Sequence, residues 1–195
     1  AFLTLVGATA APERVLAGGE RVVLPVAVPA AAEEVCRRAG LSIDWAKLSA
    51  ANLQETASRP GVRFAASQDG GYVFPEFLPA YDAAASFVTL LDMLAATGAN
   101  LSKLVVELPR PHVAHQAVAT PWERKGMLMR TVVETVKDRE LVLVDGVKVL
   151  HDDGWALLLP DPDEPVTHVW AEGGDDEGAR VRVAEYAGLV QHLLA

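Results

Sequence analysis

The chain has 195 residues, which is enough for one or two domains that each bury their own core. Apolar residues make up 51% of the sequence, but no uninterrupted apolar run approaches about 18 residues, so no transmembrane span is predicted. The formal net charge of −9 argues against nucleic acid and against an anionic membrane surface as partners. The single cysteine, Cys36, leaves no disulfide framework or metal–thiolate cluster, which fits a reduced, cytoplasmic setting.

The first half of the chain alternates short apolar runs with segments of helical spacing. Residues 1–15 carry no basic segment, so they are interpreted as a helix cut at its beginning and not as a signal peptide. Ser49 is the expected N-cap of one helix, and Gly98 with Asn100 closes the longest one. Alternating strands and helices predict a parallel α/β sheet with right-handed crossovers. The predicted helices are 30–40, 49–58 and 81–99, and the predicted strands are 22–29, 41–47, 61–67 and, after a loop at 67–71, 72–74.

Two prolines, Pro109 and Pro111, break the preceding helix and predict an interdomain linker. We therefore expect a three-layer α/β domain with a parallel sheet at 1–108 and a smaller α+β domain at 109–195. The second domain is predicted as an antiparallel sheet with two helices on one face. Its predicted elements are a strand at 113–119, a helix at 121–137 with Thr120 as N-cap and Pro121 as first residue, three strands within 145–172, and a helix at 175–194.

The three strands within 145–172 are joined by two kinds of turn. Asp145-Gly146 and Asp152-Asp153-Gly154 are hairpin signals, because glycine accepts the positive φ that such turns need. The last two strands are separated by a proline-rich acidic loop, LPDPDEP, at 159–165. Its prolines fix φ and hold three carboxylates in a stiff arch, which either faces a ligand or only turns the chain. The three carboxylates are those of Asp161, Asp163 and Glu164.

The acidic loop and its flanks resemble the phosphate-binding loop in the last domain of the α-D-phosphohexomutases. That loop has the pattern strand, Arg-Pro-Ser-Gly-Thr-Glu-Pro, strand, Glu, helix. This chain has Leu159 at the Arg position and Asp161, Pro162 and Asp163 at the Ser-Gly-Thr positions. The positions that stay in register with the pattern are Pro160, Glu164, Pro165 and Glu172.

The resemblance extends over nearly the whole chain through PWERKGMLMR at 121–130, DGVKV at 145–149 and DGGYVFPEFLPAYDA at 69–83. These segments look like one branch of the family, in which mutase-like domains follow a sugar-phosphate nucleotidyltransferase of the mannose-1-phosphate guanylyltransferase kind. The chain then corresponds to the third and fourth mutase domains. The resemblance implies upstream domains of the same polypeptide as partners, with a sugar phosphate and a homo-oligomer as further possibilities.

The acidic loop departs from the family where the phosphate would bind. The resemblance implies that Arg, Ser and Thr side chains donate hydrogen bonds to the phosphate. Leu159 removes the guanidinium, and Asp161 and Asp163 place anions there; two like charges about 4 Å apart in a partly buried site cost several kcal/mol. We therefore expect a structural or interface role for the loop, with weak phosphosugar binding through Asp161, Asp163 and Glu164 as the alternative.

A second candidate site is the loop SQDGGYVF at 67–74, where the family has a sugar-binding Gly-Glu-x-Ser-Gly-His loop. Asp69 stands at the Ser position and Gly70 matches. Asp69 can accept hydrogen bonds from sugar hydroxyls, and Gly70 with Gly71 lets the backbone approach a ligand closely. The alternative is a tight turn that leads into the strand at Tyr72.

Basic residues of PWERKGMLMR, Lys125 and Arg130, either aim at a phosphate or form a solvated helix face. The five histidines show no metal-ligand spacing, and we expect no metal site. The serine loop and the Asp-x-Asp-x-Asp-Arg magnesium loop that mutase catalysis requires, as the resemblance implies, do not occur in this sequence. We therefore expect no catalytic residue and no cofactor here, with Mg²⁺ belonging to upstream domains.

Three functions are considered. The chain is the C-terminal half of a mutase-like region in a sugar-nucleotide-forming protein, or a catalytically silent module that regulates or assembles a sugar-phosphate nucleotidyltransferase. The third is a generic α/β binding domain that resembles the family only in fold, and the occurrence of several family motifs in order weakens it.

Overall fold

The computed structural model describes residues 2–9 and 20–195. The chain divides into two compact units, Ala1–Arg110 and Pro111–Ala195, so the division falls inside the segment that carries Pro109 and Pro111. The helix predicted at 1–15 is present at Phe2–Ala8, and residues 10–15 lie outside the described part.

The first unit is an α/β unit with a four-stranded sheet in the order β2-β1-β3-β4. Strand β1 runs parallel to β2 and β3, whereas the short β4 is antiparallel to β3. Its elements are α1 (Phe2–Ala8), β1 (Arg21–Pro25), α2 (Ala30–Arg38), β2 (Ser42–Ala46), α3 (Ala50–Ala57), β3 (Val62–Ala66), β4 (Tyr72–Val73), α4 (Ala83–Thr97) and α5 (Leu101–Glu107).

Side chains from alternate positions of this sheet enter two separate buried clusters. Leu24 and Phe64 belong to one cluster, and Val23 and Ala65 belong to the other, where Leu53 of α3 joins them. Because successive strand residues point to opposite faces, both faces of the sheet are covered. The predicted three-layer α/β fold is confirmed.

Three boundaries in the first unit test the sequence patterns. The strand predicted at 22–29 ends at Pro25, and Val28 N donates to Pro25 O (3.1 Å) in a turn. This prediction was wrong because the turn itself is buried, so the apolar run outlasts the strand; Val26 is 0% exposed. Ser49 caps α3 as predicted by accepting from Asn52 N. The helix predicted at 81–99 stops at Thr97, before Gly98 (φ 63°), and Asn100 then caps the separate α5.

No single helix among residues 2–9 and 20–195 is both long and apolar enough to cross a membrane. Helices α4 and α5 meet that criterion only as a pair, and they are bent by 87° at the break between them.

The second unit is an antiparallel sheet with both helices on one face, as predicted. The strand order is β5-β9-β8-β7-β6. Leu158 of β8 and Val169 of β9 pack in one core with side chains of both helices. The elements are β5 (His112–Ala119), α6 (Trp122–Val136), β6 (Leu141–Val142), β7 (Val147–His151), β8 (Gly154–Pro160), β9 (Val166–Gly173) and α7 (Asp176–Leu194).

Thr120 does not cap the first helix of this unit, so that prediction was wrong. Helix α6 starts at Trp122, and Pro121 is the preceding residue. Thr120 is buried, its hydroxyl donates to Val118 O (3.0 Å), and its backbone N–H donates to Pro165 O (2.7 Å). The hydroxyl therefore secures the end of β5, and the main chain ties this corner to the acidic loop.

Candidate functional site

The loop at 67–71 in the first unit is closed by Ser67. Ser67 N donates to Gly71 O (2.8 Å), and Gly71 N donates to the Ser67 hydroxyl (2.9 Å). Gly70 has φ 86°, a conformation that disfavours any residue with a Cβ. Asp69 and Gly70 are exposed at the tip. Ser67 thus shapes the turn through its main chain and its hydroxyl, a role that the sequence did not suggest.

A cavity of about 310 Å³ lies behind this turn and is lined by three of the predicted site residues, Gly70, Gly71 and Tyr72. Four of its ten lining residues are aromatic, which suits the apolar face of a small ring. A Cβ on Gly71 would lie 2.8 Å from the Tyr81 ring, so this aromatic contact requires glycine. The remaining lining residues are Phe2, Tyr81, Asp82, Ala83, Ser86, Phe87 and Leu90.

In the acidic loop of the second unit, the Asp161 carboxylate points inward, toward the loop's own backbone. Asp161 Oδ1 accepts the backbone N–H groups of Asp163 and Glu164, each at 2.7 Å. Its Oδ2 lies 3.0 Å from Nε2 of His168. The N–H of Asp163, and after it the His168 ring, lower the pKa of the Asp161 carboxyl below its usual range. The side chains of Asp163 and Glu164 are exposed.

Lys125 of α6 holds the main chain of the same loop. Its Nζ donates to Asp161 O (2.6 Å) and to Glu164 O, and it lies 3.6 Å from the centroid of the Trp122 ring. The ammonium group therefore supports the loop, which is neither of the two roles that the sequence suggested. Arg130 lies at a separate groove that also includes Leu159 and Pro160 at the start of the loop.

Two histidines extend the hydrogen bonding from the acidic loop onto the sheet. His168 Nδ1 lies 3.0 Å from His115 Nε2. The His115 ring stacks on Trp170 with the ring centroids 4.8 Å apart, and the His168 ring is tilted against Trp170 with the centroids 4.9 Å apart. Burial, and after it the neighbouring His168, lowers the pKa of His115. Within the described residues, no group of three or more His, Cys, Asp or Glu side chains is placed to hold a metal ion.

The histidine pair was missed because it depends on strand register. The two residues are 53 positions apart, and β5 pairs with β9 so that His115 lies opposite Trp170 and Ala117 opposite His168. Diagonal neighbours on one face of a sheet can touch, but only the register identifies them. The structure places Asp69, Gly70, Gly71 and Tyr72 in the first unit and the three acidic-loop residues in the second.

The lowered pKa of Asp161 predicts a stability difference that depends on pH. A carboxyl whose pKa is lower in the folded state contributes stability above its unfolded pKa of about 3.9, and this contribution is lost as the pH falls through the folded value. We therefore expect Asp161→Asn to lose stability relative to the unsubstituted chain at pH 7, with the gap narrowing toward pH 3. Urea unfolding of both proteins at several pH values measures the difference between their free energies of unfolding. A difference that does not change with pH would contradict the conclusion that folding lowers the pKa of Asp161.

A family model described as phosphoglucomutase/phosphomannomutase, alpha/beta/alpha domain III, matches residues 2–112. The chain belongs to this family. The probable phosphoglucosamine mutase of Methanopyrus kandleri is 27% identical over 179 residues, which are 91% of this chain and 40% of that protein. The phosphoglucomutase/phosphomannomutase of Thermococcus kodakarensis is 24% identical over 178 residues, which are 91% of this chain and 38% of that protein.

Solved structures show the same fold. A phosphoglucomutase/phosphomannomutase family protein from Burkholderia thailandensis superposes with a TM-score of 0.74 at 18% identity, over 95% of this chain and 42% of that one. The Aspergillus fumigatus N-acetylphosphoglucosamine mutase with glucose 1,6-bisphosphate superposes with a TM-score of 0.67 at 11% identity, over 100% of this chain and 42% of that one. The chain spans about 40% of the length of the curated relatives it matches. It is a phosphohexomutase-like fragment that comprises domain III and the domain after it.

Proposed function

We propose that this chain is the C-terminal part of a phosphohexomutase-like region in a sugar-nucleotide biosynthesis protein and does not transfer phosphoryl groups by itself. The observation that carries the proposal is the state of the acidic loop. The side chain of Leu159 offers no hydrogen-bond donor, and the N–H groups of Asp163 and Glu164 already donate to Asp161. A phosphate dianion needs donors and positive charge, and this loop supplies neither in free form.

The parent protein that we propose is cytoplasmic and carries a nucleotidyltransferase of the mannose-1-phosphate guanylyltransferase type. The segments 121–130, 145–149 and 160–165 support this branch of the family. Upstream domains of the same polypeptide would supply the serine loop and hold Mg²⁺. The exposed apolar side chains of the first unit support such a neighbour, because a protein contact removes apolar surface from water. These side chains include Phe77, Phe87, Val88, Leu91, Val105 and Val106.

The alternative is a catalytically silent module that regulates or assembles the nucleotidyltransferase. The inward carboxylate of Asp161 is equally consistent with this alternative, since the loop is stabilised by its own side chain without a ligand. The cavity behind Gly70 and Gly71 favours the function proposed first, the C-terminal part of a phosphohexomutase-like region, since it still offers a sugar-sized space in the first unit.

The test is an NMR titration of the chain with mannose 1-phosphate, glucose 1-phosphate, their 6-phosphates and GDP-mannose at low salt, with mannose as the phosphate-free control. We expect weak shifts confined to the turn at Asp69–Tyr72 and none at 160–165. Gly71→Ala, which displaces Tyr81, is expected to abolish those shifts. Gly126→Ala, in α6 of the second unit with no atom within 4 Å of an added Cβ, is expected to leave them unchanged. Interconversion of mannose 1-phosphate and mannose 6-phosphate by the chain alone would refute the proposal.

A further inference from the structure

We propose that Asp161 excludes phosphate by filling the anion-binding position of its own loop, as a built-in competitor. The inference rests on the proposed function, because it takes the acidic loop as the counterpart of a phosphate-binding loop. What it adds is that the Asp161 side chain alone decides whether phosphate can bind to the loop's donors.

Three donors converge on the Asp161 carboxylate. The N–H groups of Asp163 and Glu164 meet at Oδ1, both at 2.7 Å, and His168 Nε2 lies 3.0 Å from Oδ2. Since an ionised carboxylate only accepts, His168 donates here from Nε2, and in a neutral ring its Nδ1 then accepts from His115. Backbone N–H groups that point at one spot form a concave anion site, and a phosphate oxygen has the same needs as a carboxylate oxygen.

The loop's shape is supported by contacts that do not involve the Asp161 side chain. Lys125 Nζ donates to the carbonyl groups of Asp161 and Glu164. Asp161 N donates to Val166 O (3.0 Å), and Val166 N donates to Glu164 O (2.8 Å). Prolines within the loop also restrict the main chain. We therefore expect the two N–H groups to keep their direction when the carboxylate is removed.

A free phosphate competes at a disadvantage with this tethered carboxylate. The carboxylate is always beside its donors, which gives it a high effective concentration. It cannot share the position with a phosphate, because two adjacent anions repel. The carboxylates of Asp163 and Glu164 are exposed, so solvent and salt screen them. Occupancy of the donors, and not the general acidity of the loop, is thus the barrier.

Four variants at two positions separate occupancy from charge. Asp161→Ala vacates the donors, and Asp161→Ser leaves only a hydroxyl, which competes for them more weakly than a carboxylate. Asp161→Asn removes the charge but keeps an oxygen that can accept both N–H groups. Asp163→Asn removes a neighbouring charge and leaves both N–H groups bonded to Asp161. The probes are inorganic phosphate and mannose 1-phosphate at constant ionic strength, followed through the backbone amide shifts of Asp163 or its replacement and of Glu164.

We expect saturable binding by Asp161→Ser and Asp161→Ala, at least tenfold tighter than by the unsubstituted chain, Asp161→Asn or Asp163→Asn. Equal gains from Asp163→Asn would show that repulsion is the barrier and overturn the inference. The inference would also be overturned if neither Asp161→Ser nor Asp161→Ala bound phosphate although the chemical shifts of their loop amides showed a folded loop. If one of these two variants disorders the loop, the other decides. Tight binding by the unsubstituted chain would instead count against the proposed function.

Discussion

Gly146→Ala is expected to destabilise the second unit by about 2–5 kcal/mol. Gly146 has φ 64°, where a side chain costs about 1–2 kcal/mol. A Cβ there would also lie 2.2 Å from Leu158 O, in the backbone of β8, so the hairpin must shift, and such overpacking costs about 1–3 kcal/mol. Urea unfolding with amide hydrogen exchange in β8 and β9 as the readout measures the loss for this unit alone.

The matched control is Gly188→Ala in the same unit. Gly188 lies inside α7, is exposed, and has no atom within 4 Å of an added Cβ. Alanine is the better helix former, so we expect a gain of about 0.5–1 kcal/mol. Equal effects of the two substitutions would show that the close approach at Gly146 does not constrain the hairpin.

Leu158→Ala is expected to cost the second unit about 2–5 kcal/mol, because it opens a cavity in a packed core. Leu158 is 0% exposed and contacts the cluster formed by the sheet and both helices. Its neighbour Leu159 points to the other face of β8 and is half-buried, so Leu159→Ala is the control and should cost clearly less. Urea unfolding with amide hydrogen exchange in β8 and β9 measures the loss of stability for both variants.

The comparison of these two leucines also tests strand register. Leu158 lies opposite Val147 and Val169 in the sheet. A shift of one residue would exchange the two faces of β8 and make Leu159 the more costly site. A larger loss from Leu159→Ala would therefore contradict the pairing on which the position of the acidic loop depends.

The acidic loop shows why family resemblance and local chemistry have to be weighed together. Its place between β8 and β9 follows the family pattern, and Pro160, Glu164 and Pro165 stay in register. The residues between Pro160 and Glu164 include Asp161 and Asp163, which place carboxylates where the family pattern has phosphate-binding donors. The sequence predicted repulsion of phosphate by projecting carboxylates; in the structure, the Asp161 carboxylate instead turns inward and uses the loop's own donors.

The sequence by itself determined the α/β unit, the α+β unit, the family resemblance and the turns at Gly98 and Gly146. These features follow from apolar periodicity and from backbone conformations that only glycine adopts readily, both of which are local properties. The end of β1 at Pro25 was not predictable, because an apolar run reports burial and not hydrogen-bond pairing.

Only the tertiary structure decided the remaining features of the candidate sites. The Thr120 main chain pairs with Pro165, and Lys125 reaches the carbonyl group of Asp161, each across more than 30 positions. The same holds for His115 and His168, which meet because β5 pairs with β9. Hydrogen bonds of this kind depend on distances that the folded sheet creates between residues far apart in the chain, and no local pattern encodes those distances.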